Sequence, residues 1–262
     1  MRIGIVACET FRRELEMIVQ GDEDIVHKEY LEFGLHEYPE ELKKAVVEKV
    51  NSLEGKVDAV FLGYGICQSL KDITKRMRVP TVQMKEDDCV GVLITSEEYE
   101  RERKVCAGTL FHTPAFCEMG EAWFEKDMRK KMSEERLKDF LDQGYDTMWF
   151  LRTLFNGYSR TLFIDTGIGD RENYLALSRE FASKAGHEAR KPRRDLGSDQ
   201  GCPAPHQGAR GYARGPNSQT FSRPIHFSRL MGWKESIRSS NFAGSESSMT
   251  MAWYSRRMKH SS

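Results

Sequence analysis

The sequence predicts an α/β fold, a Rossmann-like, open and mostly parallel sheet with flanking helices. Short apolar runs of β-forming residues occur at residues 2–8, 57–62 and 161–165. Segments with helical periodicity lie between these runs, and glycines follow two of them closely. Buried strands that alternate with amphipathic helices are typical of a parallel sheet covered on both faces.

The N-terminal segment predicts a strand, a helix and a second strand. Residues 2–8 are R-I-G-I-V-A-C, which favours a strand. Thr10 is placed to cap a helix that carries Phe11, Leu15 and Ile18 on one face. Residues 24–31 are expected to form the second strand or an extended segment.

The rest of the chain is organised around residues 57–67, V-D-A-V-F-L-G-Y-G-I-C. This stretch predicts a buried strand that leads into a glycine turn and presents a thiol. Pro39 suits the first position of a preceding crossover helix, whose apolar residues recur on one face. These residues are Leu42, Val46, Val50 and Leu53. Gly63 and Gly65 allow the backbone to turn sharply or to approach a ligand closely.

Three shorter elements are expected next. Residues 69–77 predict a short helix and residues 80–84 a strand. Residues 90–95 are apolar again, so either the strand continues there or a helix begins. Residues 106–117, V-C-A-G-T-L-F-H-T-P-A-F-C with the preceding valine, are rich in loop-forming residues and predict a loop that faces the substrate.

The following part of the chain is mainly helical. Residues 118–143 predict one or two amphipathic helices, and residues 149–155 can continue them. Residues 161–165 predict a strand, followed by the turn T-G-I-G-D and a helix at residues 171–184. A strand, a glycine-containing turn and a helix N-terminus can bind an anion through free N–H groups.

Composition separates an acidic head from a basic tail. Residues 184–262 contain 14 Lys+Arg against 5 Asp+Glu, and the first 183 residues contain 26 against 35. A nucleic-acid-binding tail is the least favoured function, because the acidic head would oppose it. The sequence shows neither a signal peptide nor an apolar stretch of roughly 18 residues, so we expect a cytoplasmic protein.

Three cysteines lie at or shortly after predicted strands. Cys8, Cys67 and Cys89 would therefore meet at one edge of a parallel sheet, where α/β proteins place their sites. Three thiolates can hold zinc, or three irons of an iron–sulfur cluster with one position open. Asp88 or Glu9 is a candidate fourth ligand or proton-transfer group. Alternatively, a single thiol is a nucleophile, or the cysteines are ordinary core residues.

A non-catalytic small-molecule module is the second candidate function. In this alternative Gly63, Gly65, Gly167 and Gly169 hold an anionic ligand, and the thiols are incidental. A Cys/His metal site that uses His112 matches no standard finger spacing.

Residues 1 to about 188 resemble a prokaryotic family of uncharacterised proteins, the domain-of-unknown-function family numbered 1638. The matching segments are M-R-I-G-I-V-A-C-E, L-H-E-Y-P-E-E-L, L-G-Y-G-I-C, the D-C of Asp88 and Cys89, G-T-L-F-H-T-P and F-I-D-T-G. The resemblance implies that Cys8, Cys67 and Cys89 occupy typical cysteine positions of the family, which favours ligands over scattered core cysteines.

The resemblance also implies a functional context. The family is frequent in methanogens and other anaerobes, near corrinoid-dependent methyltransferases, which suggests a metal, iron–sulfur or corrinoid-linked role in one-carbon metabolism. The family usually shows His-Asp-Cys where this chain has Asp87, Asp88 and Cys89. If that histidine is a ligand or proton carrier, Asp87 would have to replace it.

The segment after about residue 188 differs in composition from the rest. Residues 184–262 contain no valine and five of the eight prolines. We therefore divide the chain into an α/β domain at residues 1–188, with a helical insert around residues 118–155, and an irregular basic tail at residues 189–262. The tail is interpreted as a frameshift product. Codons exist for residues 189–208 that, when read one nucleotide forward, encode a different peptide. That peptide has a helix-like apolar pattern and resembles the family's sequence at this place.

Overall fold

The computed structural model describes residues 1–187 and the backbone of residues 219–221. Of Cys67 and Gln68 it describes the backbone only. The α/β class is confirmed, because parallel strands alternate with helices that flank them. Within the predicted tail, residues 219–221 form a strand; the frameshift interpretation and the remaining tail residues lie outside the described part of the chain.

The described strands form two parallel sheets. In chain order they are β1 (Ile3–Cys8), β2 (Ile25–Leu31), β3 (Ala59–Gly63), β4 (Thr81–Gln83), β5 (Thr109–His112), β6 (Arg160–Ile164) and β7 (Gln219–Phe221). The first sheet has the order β2-β1-β3-β4, and the second has the order β5-β6-β7. Every pair of neighbouring strands is parallel, so the carboxyl ends of all strands in a sheet lie along the same side of that sheet.

Helices connect the strands. They are α1 (Arg12–Ile18, after a 3-10 turn at Glu9–Phe11), α2 (Pro39–Asn51), α3 (Cys67–Leu70), α4 (Cys89–Ile94), α5 (Ser96–Val105), α6 (Pro114–Lys131), α7 (Glu134–Asp142), α8 (Thr147–Leu154) and α9 (Arg171–Lys184). Helix α6 is kinked at Gly120, whose φ of 55° and ψ of −164° suit glycine. No described helix combines the length and the apolar character that a membrane crossing needs.

The first core surrounds β1 and β3, which are buried along their whole length. The predicted face of α2 packs onto this sheet, since Leu42, Val46 and Val50 are all fully buried. The second sheet has an aromatic core instead. Its members include Phe116, Phe124, Phe155 and Phe181, whose rings meet at centroid distances of 5.4 to 6.4 Å.

Three local predictions were wrong. Residues 69–77 do not form one helix, because α3 ends at Leu70 and a separate 3-10 turn follows at Ile73–Arg76. Thr10 is not a helix cap; it is buried inside the 3-10 turn that precedes α1. Residues 106–117 are not a loop facing a substrate, because β5 and the start of α6 lie there. The apolar residues Leu110 and Phe111 pair with β6, a long-range contact that the local pattern did not show.

Helix α6 joins the two halves of the molecule. The Phe33 and Trp123 rings meet edge to face at 5.3 Å. A Cβ atom on Gly34 would lie 2.6 Å from the Trp123 ring, so glycine is needed for this contact. Lys126 pairs with Glu32 at 2.9 Å across the same interface.

Candidate functional site

The first sheet has a topological switch point between β1 and β3. The chain leaves β1 to one side to form β2 and then crosses to the other side to form β3. In open α/β sheets, ligands bind outside the strand ends at this point. Cys8 is the last residue of β1, and Cys67 begins the helix that follows β3. The backbone of Cys67 is therefore at the predicted edge, while its side chain is outside the described part.

The loops after β3 and β4 are tied together. The Ile66 N–H donates to the Glu86 carbonyl at 2.7 Å, and the Gln83 side-chain amide donates to the Gly65 carbonyl at 3.1 Å. A Cβ atom on Gly65 would lie 2.8 Å from the Glu86 carbonyl oxygen. Glycine at this position thus lets the loop that carries Cys67 pack directly against the loop that leads to Cys89.

Gly63 has a similar packing role between strands. A Cβ atom there would overlap the Cβ atom of Ala7 on β1 and would approach Leu15 of α1 at 3.4 Å. The close approach of β3 to β1 and α1 is sufficient reason for a glycine. Binding of an anion by Gly63 and Gly65 stays a prediction.

Cys8 is a buried thiol. Its Sγ lies 3.3 Å from the Thr10 hydroxyl oxygen, to which it donates a hydrogen bond. Burial raises the pKa of Cys8, while interactions with Thr10 and Tyr64 oppose that shift. The thiol is therefore protonated at neutral pH, and Cys8 lacks the lowered pKa of an activated nucleophile.

Cys89 interacts electrostatically with Cys8. Burial is the main reason that the pKa of Cys89 rises to about 12, and the nearby Cys8 and Asp88 side chains raise it further. Cys89 is the first residue of α4, directly after the loop that β4 leads into. Cys89 is therefore near enough to Cys8 for their charges to interact, and the meeting of the three cysteines at one site stays a prediction.

The Asp88 carboxylate interacts with two groups of the protein, one on α4 and one on α5. Its Oδ1 accepts the Gly91 N–H at 2.8 Å and thereby caps α4. Asp88 also interacts with the Tyr99 hydroxyl, whose pKa rises because of burial first and of this carboxylate second. Asp88 therefore lies beside the cysteines, but it already holds a helix in place.

Glu9 and Asp87 are exposed at the same edge. Glu9 pairs with Arg12 at 3.4 Å, and about half of each side chain is accessible to solvent. Roles for Glu9 as a proton carrier and for Asp87 as a replacement for the family histidine stay predictions. Among the residues with described side chains, no three His, Cys, Asp or Glu residues form a metal-binding group.

The pair formed by His112 and Cys117 lies in the second core. The Cys117 Sγ is 3.6 Å from His112 Nδ1, and the two residues are 5% and 1% exposed, respectively. Burial lowers the pKa of His112 to about 3, assisted by His187, and burial raises the pKa of Cys117 to about 12. Both groups are neutral at pH 7, so the histidine does not activate the thiol.

The loop after β6 uses its own carboxylates to satisfy its backbone. Asp165 accepts the Gly167 N–H at 2.9 Å, and Asp170 accepts the Asn173 N–H at 3.1 Å to cap α9. Gly169 has a φ of 78°, and a Cβ atom there would lie 2.7 Å from the Tyr174 ring. These carboxylates occupy N–H groups that an anion would need, and the anion site at Gly167 and Gly169 stays a prediction.

Glu14 is a candidate site residue that the sequence analysis missed. Its side chain lies on α1 and is 2% exposed, and burial raises its pKa. The signal was present, because Glu14 falls three residues after Phe11 and four before Ile18, inside the apolar face of the helix. An acidic residue in such a face is a candidate buried carboxyl group.

Comparison with known proteins identifies a family relationship but no characterised relative. A family profile described as "Protein of unknown function (DUF1638)" matches residues 30–198, which is more than half of the chain. The matched segment includes Cys67 and Cys89, and it begins after Cys8. No curated protein and no solved structure matches the chain.

Proposed function

The chain belongs to the DUF1638 family, whose description gives no activity, and we therefore propose a function from the site itself: the protein binds a metal ion or an iron–sulfur cluster through Cys8, Cys67 and Cys89. The family match confirms the resemblance that the sequence motifs suggested. The match establishes the family, but the chemistry of the site has to be inferred from its residues.

One observation carries the proposal. Strands β1, β3 and β4 are neighbours in one parallel sheet, and a cysteine lies at or after the end of each. Two of these cysteines flank the switch point, and the loops that lead to Cys67 and Cys89 are hydrogen-bonded to each other. Thiolates are the preferred protein ligands of zinc and of iron–sulfur clusters.

Three cysteines leave one coordination position for a further group. Zinc with three protein ligands commonly takes water or a substrate at the fourth position, and that position is where its chemistry occurs. The nearest acidic residues are Asp88, which directly precedes Cys89, and Glu9, which directly follows Cys8. Their proposed role is to ligate or to move a proton, and the helix cap that Asp88 forms limits how far its carboxylate can move.

The finer assignment rests on the family resemblance alone. It is a role in anaerobic one-carbon metabolism, with corrinoid or methyltransferase proteins as partners. The proposal concerns the bound centre first, because metal binding can be tested without knowing the reaction or the partner.

The test is metal and sulfide analysis with an ultraviolet–visible spectrum of the full chain, purified without oxygen. Cys8→Ser, Cys67→Ser and Cys89→Ser are each expected to lose most of the bound metal, because a hydroxyl is a poor ligand for these centres. Cys117→Ser is the matched control, since this free cysteine lies in the other core.

The outcomes separate the alternatives. Iron with sulfide and a broad visible absorption would identify a cluster, and zinc alone would identify a thiolate–zinc centre. A folded protein that stays free of metal after reconstitution with iron, sulfide and zinc would contradict the proposal and would favour the small-molecule module.

A further inference from the structure

The connection between α7 and α8 carries three aromatic side chains that contact one another. The Tyr145 and Trp149 ring centroids are 4.5 Å apart, and the Phe140 ring lies 5.3 Å from the first and 5.5 Å from the second. Tyr145 is 37% exposed, Trp149 is 43% exposed, and the neighbouring Leu141 is 46% exposed. We call these four residues the aromatic turn. It is an apolar cluster that solvent reaches.

Helix α8 is apolar on two opposite sides. Leu151 is 1% exposed and belongs to the second core together with Phe155. Trp149 comes two residues earlier, which is about 200° around a helix, so its side chain leaves the opposite side of α8. Among the described ring pairs, Trp149 contacts Tyr145 and Phe140 but no ring of the second core. A helix that is apolar on all sides is normally buried on all sides, so the outer side of α8 fits a further partner.

The surroundings of the aromatic turn are acidic. Residues 139–151 contain Asp139, Asp142 and Asp146 and neither lysine nor arginine. In the part of the chain that the structure describes, none of these three carboxylates forms an ion pair. Asp146 Oδ1 accepts the Trp149 N–H at 2.7 Å, which holds this carboxylate at the start of α8. Exposed aromatic residues are typical anchors of protein interfaces, and the charge here selects a positive partner.

We propose that the aromatic turn is a docking surface for a basic polypeptide segment of a partner protein, in which arginine or lysine side chains lie beside apolar ones. Guanidinium and ammonium groups bind to the faces of tyrosine and tryptophan rings and also pair with carboxylates. Apolar side chains of the same segment would cover Leu141. The surface is independent of the three cysteines and of the metal that they are proposed to bind.

Other occupants fit the aromatic turn less well. A second copy of the chain would bring its own three aspartates against these three, and like charges repel. Nucleic acids and anionic lipid surfaces are negatively charged as well. The exposed apolar part consists of three side chains, which suits a short segment better than the roughly 800 Å² that each subunit of a stable complex buries.

The experiment measures the fluorescence anisotropy of a short fluorescein-labelled peptide in which leucine and arginine alternate, titrated with the full chain. The salt concentration is held at about 0.15 M, where attraction between distant charges is screened beyond about 8 Å. We expect saturable binding with a Kd of about micromolar order. Two control peptides should bind at least about tenfold more weakly, one with glutamate in place of arginine and one with glycine in place of leucine.

Variants locate the binding on the surface. Trp149→Ala is expected to weaken binding by about tenfold or more, and Trp149→Phe should restore most of the affinity because it keeps a ring. Asp142→Asn removes one charge at constant shape and should weaken binding severalfold. Val26→Ala and Glu100→Gln are the matched controls, since they change an exposed apolar and an exposed acidic residue elsewhere. Cys67→Ser should bind the peptide unchanged, so the metal proposal can fail without affecting this result.

Several results would overturn the proposal. Absence of saturable binding is one, and equal affinities of the Trp149→Ala and unchanged proteins are another. A dimer that light scattering detects and that Trp149→Ala abolishes would make a second copy the occupant. Tighter peptide binding after removal of residues 222–262 would show that the chain's own tail covers the surface. A labelled oligouridylate that binds more tightly than the peptide would assign the surface to nucleic acid.

Discussion

Burial sets the protonation of several ionisable residues in the two cores. It raises the pKa of the Cys8 and Cys89 thiols and of the Glu14 carboxyl, and it lowers the pKa of His112 to about 3. Each group is thereby shifted toward its neutral form, which costs less free energy to bury than an ion. A bound metal ion would reverse this preference for the thiols.

The clearest prediction at this scale concerns Glu14 and pH. Its folded-state pKa lies above the ordinary value of 4.5, so its contribution to stability is present below that value and is lost as the pH rises through the folded-state pKa. Glu14→Gln should therefore stabilise the protein at neutral pH, on the order of 1 kcal/mol. Urea unfolding at about pH 5 and about pH 8 should show a larger gain at the higher pH.

Glu16 supplies a control of opposite sign on the same helix. The hydrogen bond from Lys28 lowers the pKa of Glu16, so this carboxylate contributes stability above its unfolded pKa and loses it in acid. Glu16→Gln should destabilise the protein slightly at about pH 8. A Glu14→Gln gain that is the same at both pH values would show that Glu14 is not held in its protonated form.

At the scale of single elements, side-chain caps define where the later helices begin. A side-chain oxygen accepts the third helical N–H at the start of each helix from α4 to α9. The capping residues are Asp88, Thr95, Thr113, Ser133, Asp146 and Asp170. Asp88 is distinctive because the helix that it caps begins with Cys89.

The cap and the proposed ligand role of Asp88 can be separated. Asp88→Ala should cost about 1 kcal/mol of stability in urea unfolding, because α4 loses its cap. Asp88→Asn should keep the cap and most of that stability. The exposed neighbour Asp87→Ala is the matched control and should change stability little.

Metal analysis of the same variants gives the functional answer. If Asp88 only positions α4, then the Asn variant should hold as much metal as the unchanged protein. Loss of metal in a stable Asp88→Asn variant would instead make the carboxylate a ligand.

At the scale of the whole molecule, two small parallel sheets depend on long-range contacts. Helix α6 connects them through Trp123 and through ion pairs to residues that follow β2. Strand β7 extends the second sheet, where its residues pair with Leu162, Phe163 and Ile164 of β6. Because β7 lies far along the chain, the second sheet depends on a segment distant in sequence.

Removal of residues 188–262 tests this dependence. Without β7, one edge of β6 loses its strand partner, and hydrogen exchange of the amides at residues 162–164 should become faster. The amides of β1 are the internal control, since β2 and β3 pair with both of its sides. Unchanged protection of β6 would show that the β7 pairing adds no stability.

Much of the first sheet could be predicted from local pattern. Strands β1, β2, β3 and β4 and the apolar face of α2 all follow from apolar runs and helical periodicity. The prediction failed at β5, which is short and lies between glycine and proline positions that favour loops. Its strand state comes from pairing with β6, about fifty residues later, and no local signal encodes that pairing.

The sequence by itself determined the α/β class, the family, and the positions of Cys8, Cys67 and Cys89 at or after the ends of strands. Only the tertiary structure decided the strand order that places β1 beside β3 and β3 beside β4, and so the switch point. It alone also buried Glu14 and gave Gly63 and Gly65 their packing partners. The physical reason is that element type depends on neighbours along the chain, whereas strand order, burial and charge environment depend on contacts between distant segments.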